Sequence, residues 1–321
     1  MRALRLVPEK TTFRFMRWRT FNFTASIAAT IISLILVAVL GLNFGIDFRG
    51  GTLIEIKTTD GPADIAQIRE LVGGLDLGDV QIQEFGSPDD VLIRVEQQDG
   101  GELAQQAVIE KVKSALGDTV EYRRVEIVGP QVSGELVQSG AIAVVSALLA
   151  ILIYIWFRFE WQFGVGALFA LVHDVSLTFG FFSLTRLEFD LNSVAAVLTI
   201  IGYSLNDTIV VYDRVRENLR KYRKMEIVPL LDLSVNETLA RTIMTSLTMI
   251  IALTCLLFWG PEVIFGFTAA MLLGIFIGTY SSIYMAAPIL VWLKVGPDSF
   301  IPKEAAVASG AERVRADGAQ P

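Results

Sequence analysis

Asp207 and Arg241 are the two residues whose types and placement could do chemistry in an otherwise apolar setting. Asp207 lies inside LNSVAAVLTIIGYSLNDTIVVY, a run long enough to cross a bilayer. A carboxylate there is costly, and its default reading is a functional site. Arg241 stands near the start of the next apolar run, NETLARTIMTSLTMIIALTCLLFW. Burial favours the protonated carboxyl and a nearby guanidinium favours the ionised one, so a small displacement of Arg241 would switch Asp207 between them. That is the minimum a proton relay needs. The competing reading is a static buried pair that fixes helix packing.

Other polar residues surround this pair in the sequence. Thr245 is one turn beyond Arg241 on the same helical face and would extend a polar path. His173 and Asp174 form a second intramembrane pair, which either joins the relay or bonds across helices. Asn206 could hold a water or a backbone carbonyl. Asp213, six residues past Asp207, reads with Arg214 as an interfacial snorkelling or capping residue. Glu237 lies four residues before Arg241 and is expected to pair with it at the inner boundary.

The elements that must position these groups are membrane spans. The chain has 321 residues, 53% of them hydrophobic, too apolar for an ordinary soluble domain. Six runs qualify as spans: Phe23–Leu42, Val137–Phe157, Phe163–Leu184, Val194–Tyr212, Leu239–Trp259 and Val263–Val291. The last is long enough to tilt or to include an interfacial end. Gly164, Gly166, Gly266, Gly274 and Gly278 are expected to allow close helix packing.

Basic residues orient the spans. Arg2, Arg5, Lys10, Arg14, Arg17 and Arg19 precede the first, and the segment RVRENLRKYRK follows the fourth. Both mark the cytoplasmic side, so both termini are cytoplasmic. The N-terminus shows no cleavage signal, and the first span reads as retained. The net charge of −7 conceals a basic inner face and an acidic outer one. The inner face suits anionic membrane lipid or an acidic partner.

Residues 1–22 are thus a basic cytoplasmic segment, 23–42 the first span, 43–134 an outer domain, 137–292 spans two to six, and 293–321 a polar tail expected to be disordered. Within 43–134, TLIEIKT, VQIQEFG, VLIRVE and VEYRRVEIVG alternate like strands. PADIAQIRELVGGL and ELAQQAVIEKVKSALG read as helices. The order βαββαβ is the ferredoxin-like split unit. The fold class is therefore α-helical membrane protein, with one extracytoplasmic α+β domain between helices 1 and 2. That domain carries no catalytic constellation and is expected to bind or brace. Two loop motifs bracket it, NFGIDFRGGT and VGPQVSGELVQSG. In the first, Gly50 and Gly51 allow a tight turn, and Asp47 and Arg49 could form a local ion pair fixing the domain on the membrane.

Enzyme motifs are missing: there is no GxxxxGK[ST] phosphate loop and no HExxH zinc site. One Cys, Cys255, and one His give no metal cluster and no disulfide. No cofactor and no nucleic-acid partner is expected, and the energy for any work would come from a partner or an ion gradient.

GIDFRGGT, VGPQVSGEL, ALVHDVSLTFG, GYSLNDTIVVYDRVREN and NETLARTIMTS together resemble the signature segments of the SecF family of bacterial protein-export membrane subunits, grouped with SecD in the resistance-nodulation-division superfamily. The resemblance runs from the basic N-terminus to the sixth span. It implies pairing with SecD in a twelve-span unit and association with the SecYEG channel and YajC. It also implies help in proton-motive-force-dependent movement of preproteins across the inner membrane after SecA has acted. It places the proton path on Asp207 and Arg241, with Thr245 as a further polar position. The alternative is a half-unit of a proton-driven small-molecule exporter of the same superfamily, though such exporters carry two large outer regions on one twelve-span chain. A non-transporting scaffold is a third class. A carboxylate serves H⁺ or Na⁺ equally, so the coupling ion stays open.

Overall fold

The computed structural model describes residues 8, 11–59 and 61–296. The expected disordered tail lies, from residue 297 on, outside the described residues, as do Arg2, Arg5 and Lys10.

The second to fifth apolar runs each lie within one helix, whereas the first helix stops at Leu40 and the sixth run is divided among several helical segments. In chain order come α1 (Arg19–Leu40), the strand β1 (Asn43–Phe44), the short α2 (Ile46–Arg49), β2 (Gly51–Thr58), α3 (Ile65–Gly73), β3 (Val80–Phe85), β4 (Ser87–Val95), α4 (Glu102–Leu116) and β5 (Val120–Val128). There follow α5 (Pro130–Arg158), α6 (Trp161–Thr185), β6 (Glu188–Phe189), α7 (Leu191–Lys221), α8 (Ile227–Trp259), α9 (Phe265–Ser281) and α10 (Ala287–Trp292). Among the described residues six helical segments are long and apolar enough to cross a membrane, the sixth running Glu262–Trp292. The chain is a multi-pass membrane protein.

The helices lengthen for local reasons. VGPQVSGELVQSG is not a loop: Pro130 occupies the first turn of α5, where its missing N–H costs nothing. RVRENLRK continues α7 to Lys221, because Arg, Glu, Leu and Lys are good helix formers and the basic residues suit the helix's C-terminal dipole. The sixth span owes its length to a wide π turn at Ser282–Ala286, which joins α9 to α10 ahead of Pro288.

Between α1 and α5 the chain builds a four-stranded antiparallel sheet in the order β3-β4-β2-β5. That order, with one helix in each βαβ half, is the ferredoxin-like arrangement. Alternation puts Ile54, Ile56, Val91, Ile93 and Val95 on one face, against Ile68 and Val72 of α3 and Val108 and Val112 of α4. Asp64 starts α3 by accepting bonds from the amides of Ala66 and Gln67. The other face carries Leu53, Leu92 and Arg94 toward the membrane body.

In that body α6, α7 and α9 are the inner helices, while α1 and α5 expose most of their surface. Small residues set the closest approaches. A Cβ at Gly274 would collide with Ile200, and one at Gly278 would stand 3.0 Å from Ser204 Cβ, so α9 lies directly on α7. Gly166 likewise admits the Tyr212 hydroxyl. Gly164 and Gly266 meet neighbours only at ordinary contact distance and do not set helix spacing.

Candidate functional site

α7 runs 31 residues, and Asp207 sits about 24 Å along it from Leu191 at 1.5 Å per residue. Its residue is 2% exposed, and its Oδ2 is a buried oxygen with no hydrogen-bond partner. The Thr279 hydroxyl of α9 faces the carboxylate, and Arg241 of α8 acts on it electrostatically. No salt bridge joins Asp207 to Arg241, which is an exposed residue. The buried ion pair expected from sequence is therefore a buried acid with a nearby, outward-facing cation. The reason is rotational: α8 turns Thr242 and Ser246 inward and leaves Arg241, Thr245 and Thr248 on the open face.

Thr245 shares that open face with Arg241, and its hydroxyl donates back to the carbonyls of Arg241 and Thr242. Thr245 also reaches the Tyr203 hydroxyl of α7, and the inward neighbour Ser246 reaches both α7 and α9. It accepts from the Tyr203 hydroxyl at 3.0 Å and lies 2.8 Å from Thr279 Oγ1. Sequence reasoning missed Tyr203, Ser246 and Thr279. A hydroxyl on an apolar helix is common, and only the meeting of three helices distinguishes these.

His173 and Asp174 form a separate cluster. Asp174 is fully buried, its Oδ1 lies 2.8 Å from His173 Nδ1, and its Oδ2 accepts from the hydroxyls of Ser204 and of Ser281, the latter at 2.7 Å. One carboxylate thus pins α6, α7 and α9 together, one turn from Asp207. Asn206 is exposed on the same side of α7 as Gly202 and Thr199.

A further expectation is corrected. Glu237 does not meet Arg241: its carboxylate accepts from Asn218 Nδ2 at 2.8 Å and lies 3.4 Å from Arg214 Nε. The longer α7 brings Asn218 and Arg214 alongside α8 first. Asp213 pairs with Arg158 of α5 at 2.6 Å.

The outer motif is also built differently. Asp47 makes no ion pair with Arg49; its Oδ2 accepts the Leu191 amide at 3.1 Å, at the first turn of α7. Asp190 caps the same turn through the Ser193 amide. Gly50 (φ +71°) and Gly51 (φ +120°) turn the chain from α2 into β2, and at Gly51 a side chain would strike the Val95 carbonyl. Beside them Arg94 reaches Asn43 Oδ1 and Gln81 Oε1, both at 3.2 Å, and Glu188 Oε2 at 2.7 Å. The strands β1 and β6 pair in parallel there. Burial raises the carboxyl pKa of both Asp47 and Glu188. The outer domain is therefore fastened to the N-terminus of the helix that carries Asp207.

Comparison with known proteins agrees with this architecture. The family described as "Protein export membrane protein SecD/SecF, C-terminal" matches residues 108–296, and the "SecD/SecF GG Motif" matches residues 35–61, which include Gly50 and Gly51. The chain is 47% identical over 291 residues to the protein translocase subunit SecF of Rickettsia akari, covering 89% of this chain and 94% of that one. To SecF of Rhodobacter capsulatus it is 48% identical over 305 residues, covering 90% and 91%. The crystal structure of SecDF, a translocon-associated membrane protein from Thermus thermophilus, superposes with a TM-score of 0.81 at 34% identity. That match covers 90% of this chain, which spans only 40% of the SecDF chain. A SecDF crystal structure in a super-membrane-facing form gives 0.66 at 32% identity. The chain belongs to the SecF family of protein translocase subunits, which are transport components and not enzymes.

Proposed function

We propose that this subunit, paired with a SecD-type half, lets a cation cross the inner membrane through Asp207 and uses that flow to promote preprotein movement. The observation that carries the reading is the open valence of Asp207: a buried carboxylate oxygen with no partner, deep in a spanning helix, with a cation nearby. Arg241 on the open face favours the ionised state, and burial favours the neutral one. Moving the guanidinium by a few ångströms changes which state wins.

The positive-inside distribution supports cytoplasmic termini, with the outer domain on the far side. Energy input then comes from the ion gradient, after SecA has acted at the SecYEG channel, with YajC associated. The exposed polar stripe of Arg241, Thr245 and Thr248 supports a protein neighbour rather than lipid on that face. A second half of the twelve-span unit would cover it.

The test is preprotein export into vesicles holding the whole translocase, under imposed H⁺ or Na⁺ gradients. Asp207→Asn is expected to reduce gradient-driven export to the level without a gradient, while the complex still assembles. Unchanged export at full gradient would overturn the reading, and the gradient that drives wild-type export names the ion.

A further inference from the structure

Two buried carboxylates lie near each other in the membrane body, and they differ in one respect. Asp174 has His173, Ser204 and Ser281 as partners and no unfilled oxygen. Asp207 keeps Oδ2 unpartnered. Beside Asp207 a row of hydroxyls crosses three helices: Tyr203 of α7, Ser246 of α8 and Thr279 of α9, with the last facing the carboxylate. The row ends at half-buried Tyr203, next to exposed Gly202 and Asn206. It therefore connects the face that a second half would cover to a buried acid. The close approach of α9 at Gly274 and Gly278 is what brings Thr279 into line.

We propose that Tyr203, Ser246 and Thr279 form a hydroxyl wire that delivers protons to Asp207. The proposal rests on the reading of Asp207 as the ion-accepting group, and assigns its path. A hydronium held at the seam between the two halves gives a proton to Tyr203 Oη. The tyrosine's own proton passes to Ser246 Oγ, that of Ser246 to Thr279 Oγ1, and that of Thr279 to the carboxylate. Each hydroxyl ends with one proton, the carboxylate becomes a carboxylic acid, and the hydronium becomes water. Ser246 and Thr279 are suited to the transfer because either oxygen can donate across their 2.8 Å separation. Among the described residues, the charged or titratable groups bearing on Asp207 are Arg241 from α8 and Tyr203 from α7. α9 contributes the neutral Thr279, and Asp174 of α6 engages the preceding turn of α7 through Ser204. These three residues carry the proton themselves, and Asp207 is the group that finally accepts it.

The experiment uses the whole translocase in vesicles, with export driven by a proton gradient in H₂O and in D₂O, and by a sodium gradient in parallel. Thr279→Val is expected to lower proton-driven export about tenfold, Thr279→Ser to stay within about twofold of wild type, and Tyr203→Phe to lose the slowing by D₂O that wild type shows. Should Thr279→Val fail to assemble, Tyr203→Phe decides, since it removes one half-buried oxygen only. Wild-type export and isotope effect in Tyr203→Phe and Thr279→Val, with Asp207→Asn inactive, would overturn the wire and leave the role of Asp207 standing. Wild-type export by Asp207→Asn would remove both. Equal loss of proton- and sodium-driven export, with no isotope effect in wild type, would make the hydroxyls cation ligands and overturn the wire.

Discussion

Three polar environments within a few turns of each other separate structural from chemical roles. Asp174 is saturated, Asp213 is paired with Arg158 at the boundary, and Asp207 is buried with a free oxygen. Only the third keeps an oxygen without a hydrogen-bond partner. No salt bridge joins Arg241 to Asp207, and Arg241 lies on the open face of α8. If the two work as one unit, their losses overlap. Asp207→Asn and Arg241→Met each lower gradient-driven export, and the double variant is expected to be no more than about twofold worse than the weaker single one. Export rates of all four proteins at one fixed gradient check this, and multiplicative losses would argue for independent roles. The residue types were visible in sequence, since a membrane carboxylate declares its own cost. The alignment of Ser246 and Thr279 was not, because serine and threonine are tolerated on apolar helices whenever they bond to the preceding turn.

Among the elements, α9 and the motif around Gly50 and Gly51 set the geometry. A Cβ at Gly278 would stand 3.1 Å from Ser204 Cα, a contact with backbone that cannot swing away. Gly278→Leu is therefore expected to cost about 1–3 kcal/mol through overpacking and to push Thr279 off Asp207. Thermal melting of the purified subunit and the export assay should both register it. Gly51→Ala should act on the outer domain instead. It combines a left-handed φ with a clash at the Val95 carbonyl, a cost on the order of 1–3 kcal/mol for the backbone conformation alone. Loss of hydrogen-exchange protection confined to β2 and its neighbours would report that site; unchanged protection would count against the argument. The element order of the outer domain was readable from alternation and turn glycines. The ends of α5 and α7 were not, because a hydrogen-bond ladder continues into polar sequence wherever propensity allows.

Across the whole molecule, the α+β domain and the buried Asp207 meet on one element, α7. Asp47 and Glu188 sit where the domain meets the start of that helix, and burial lifts their carboxyl pKa values above the ordinary 3.8 and 4.5. A carboxyl whose pKa is higher folded than unfolded binds its proton more tightly in the folded state. Its contribution is complete below the ordinary value and fades as pH rises through the lifted one. The junction is thus expected to be firmest in mild acid and to loosen toward neutrality, with the Arg94 contact opposing the loss. Melting temperatures of wild type and Glu188→Gln between pH 4 and 7, taken at roughly physiological salt, should show a shallower pH slope for the variant. Identical slopes would place the pH response elsewhere.

Sequence by itself determined the six spans, the βαββαβ order and the prominence of Asp207, because each follows from local periodicity or from the cost of charge in lipid. Tertiary structure alone decided who meets whom. Asp47 bonds the Leu191 amide across 144 positions, Arg94 holds Glu188, and Thr279 rather than Thr245 faces Asp207. Those meetings depend on the rotation of each helix about its axis and the depth at which glycines let helices approach. Neither quantity is written in a single helix, and both are fixed only when the helices pack.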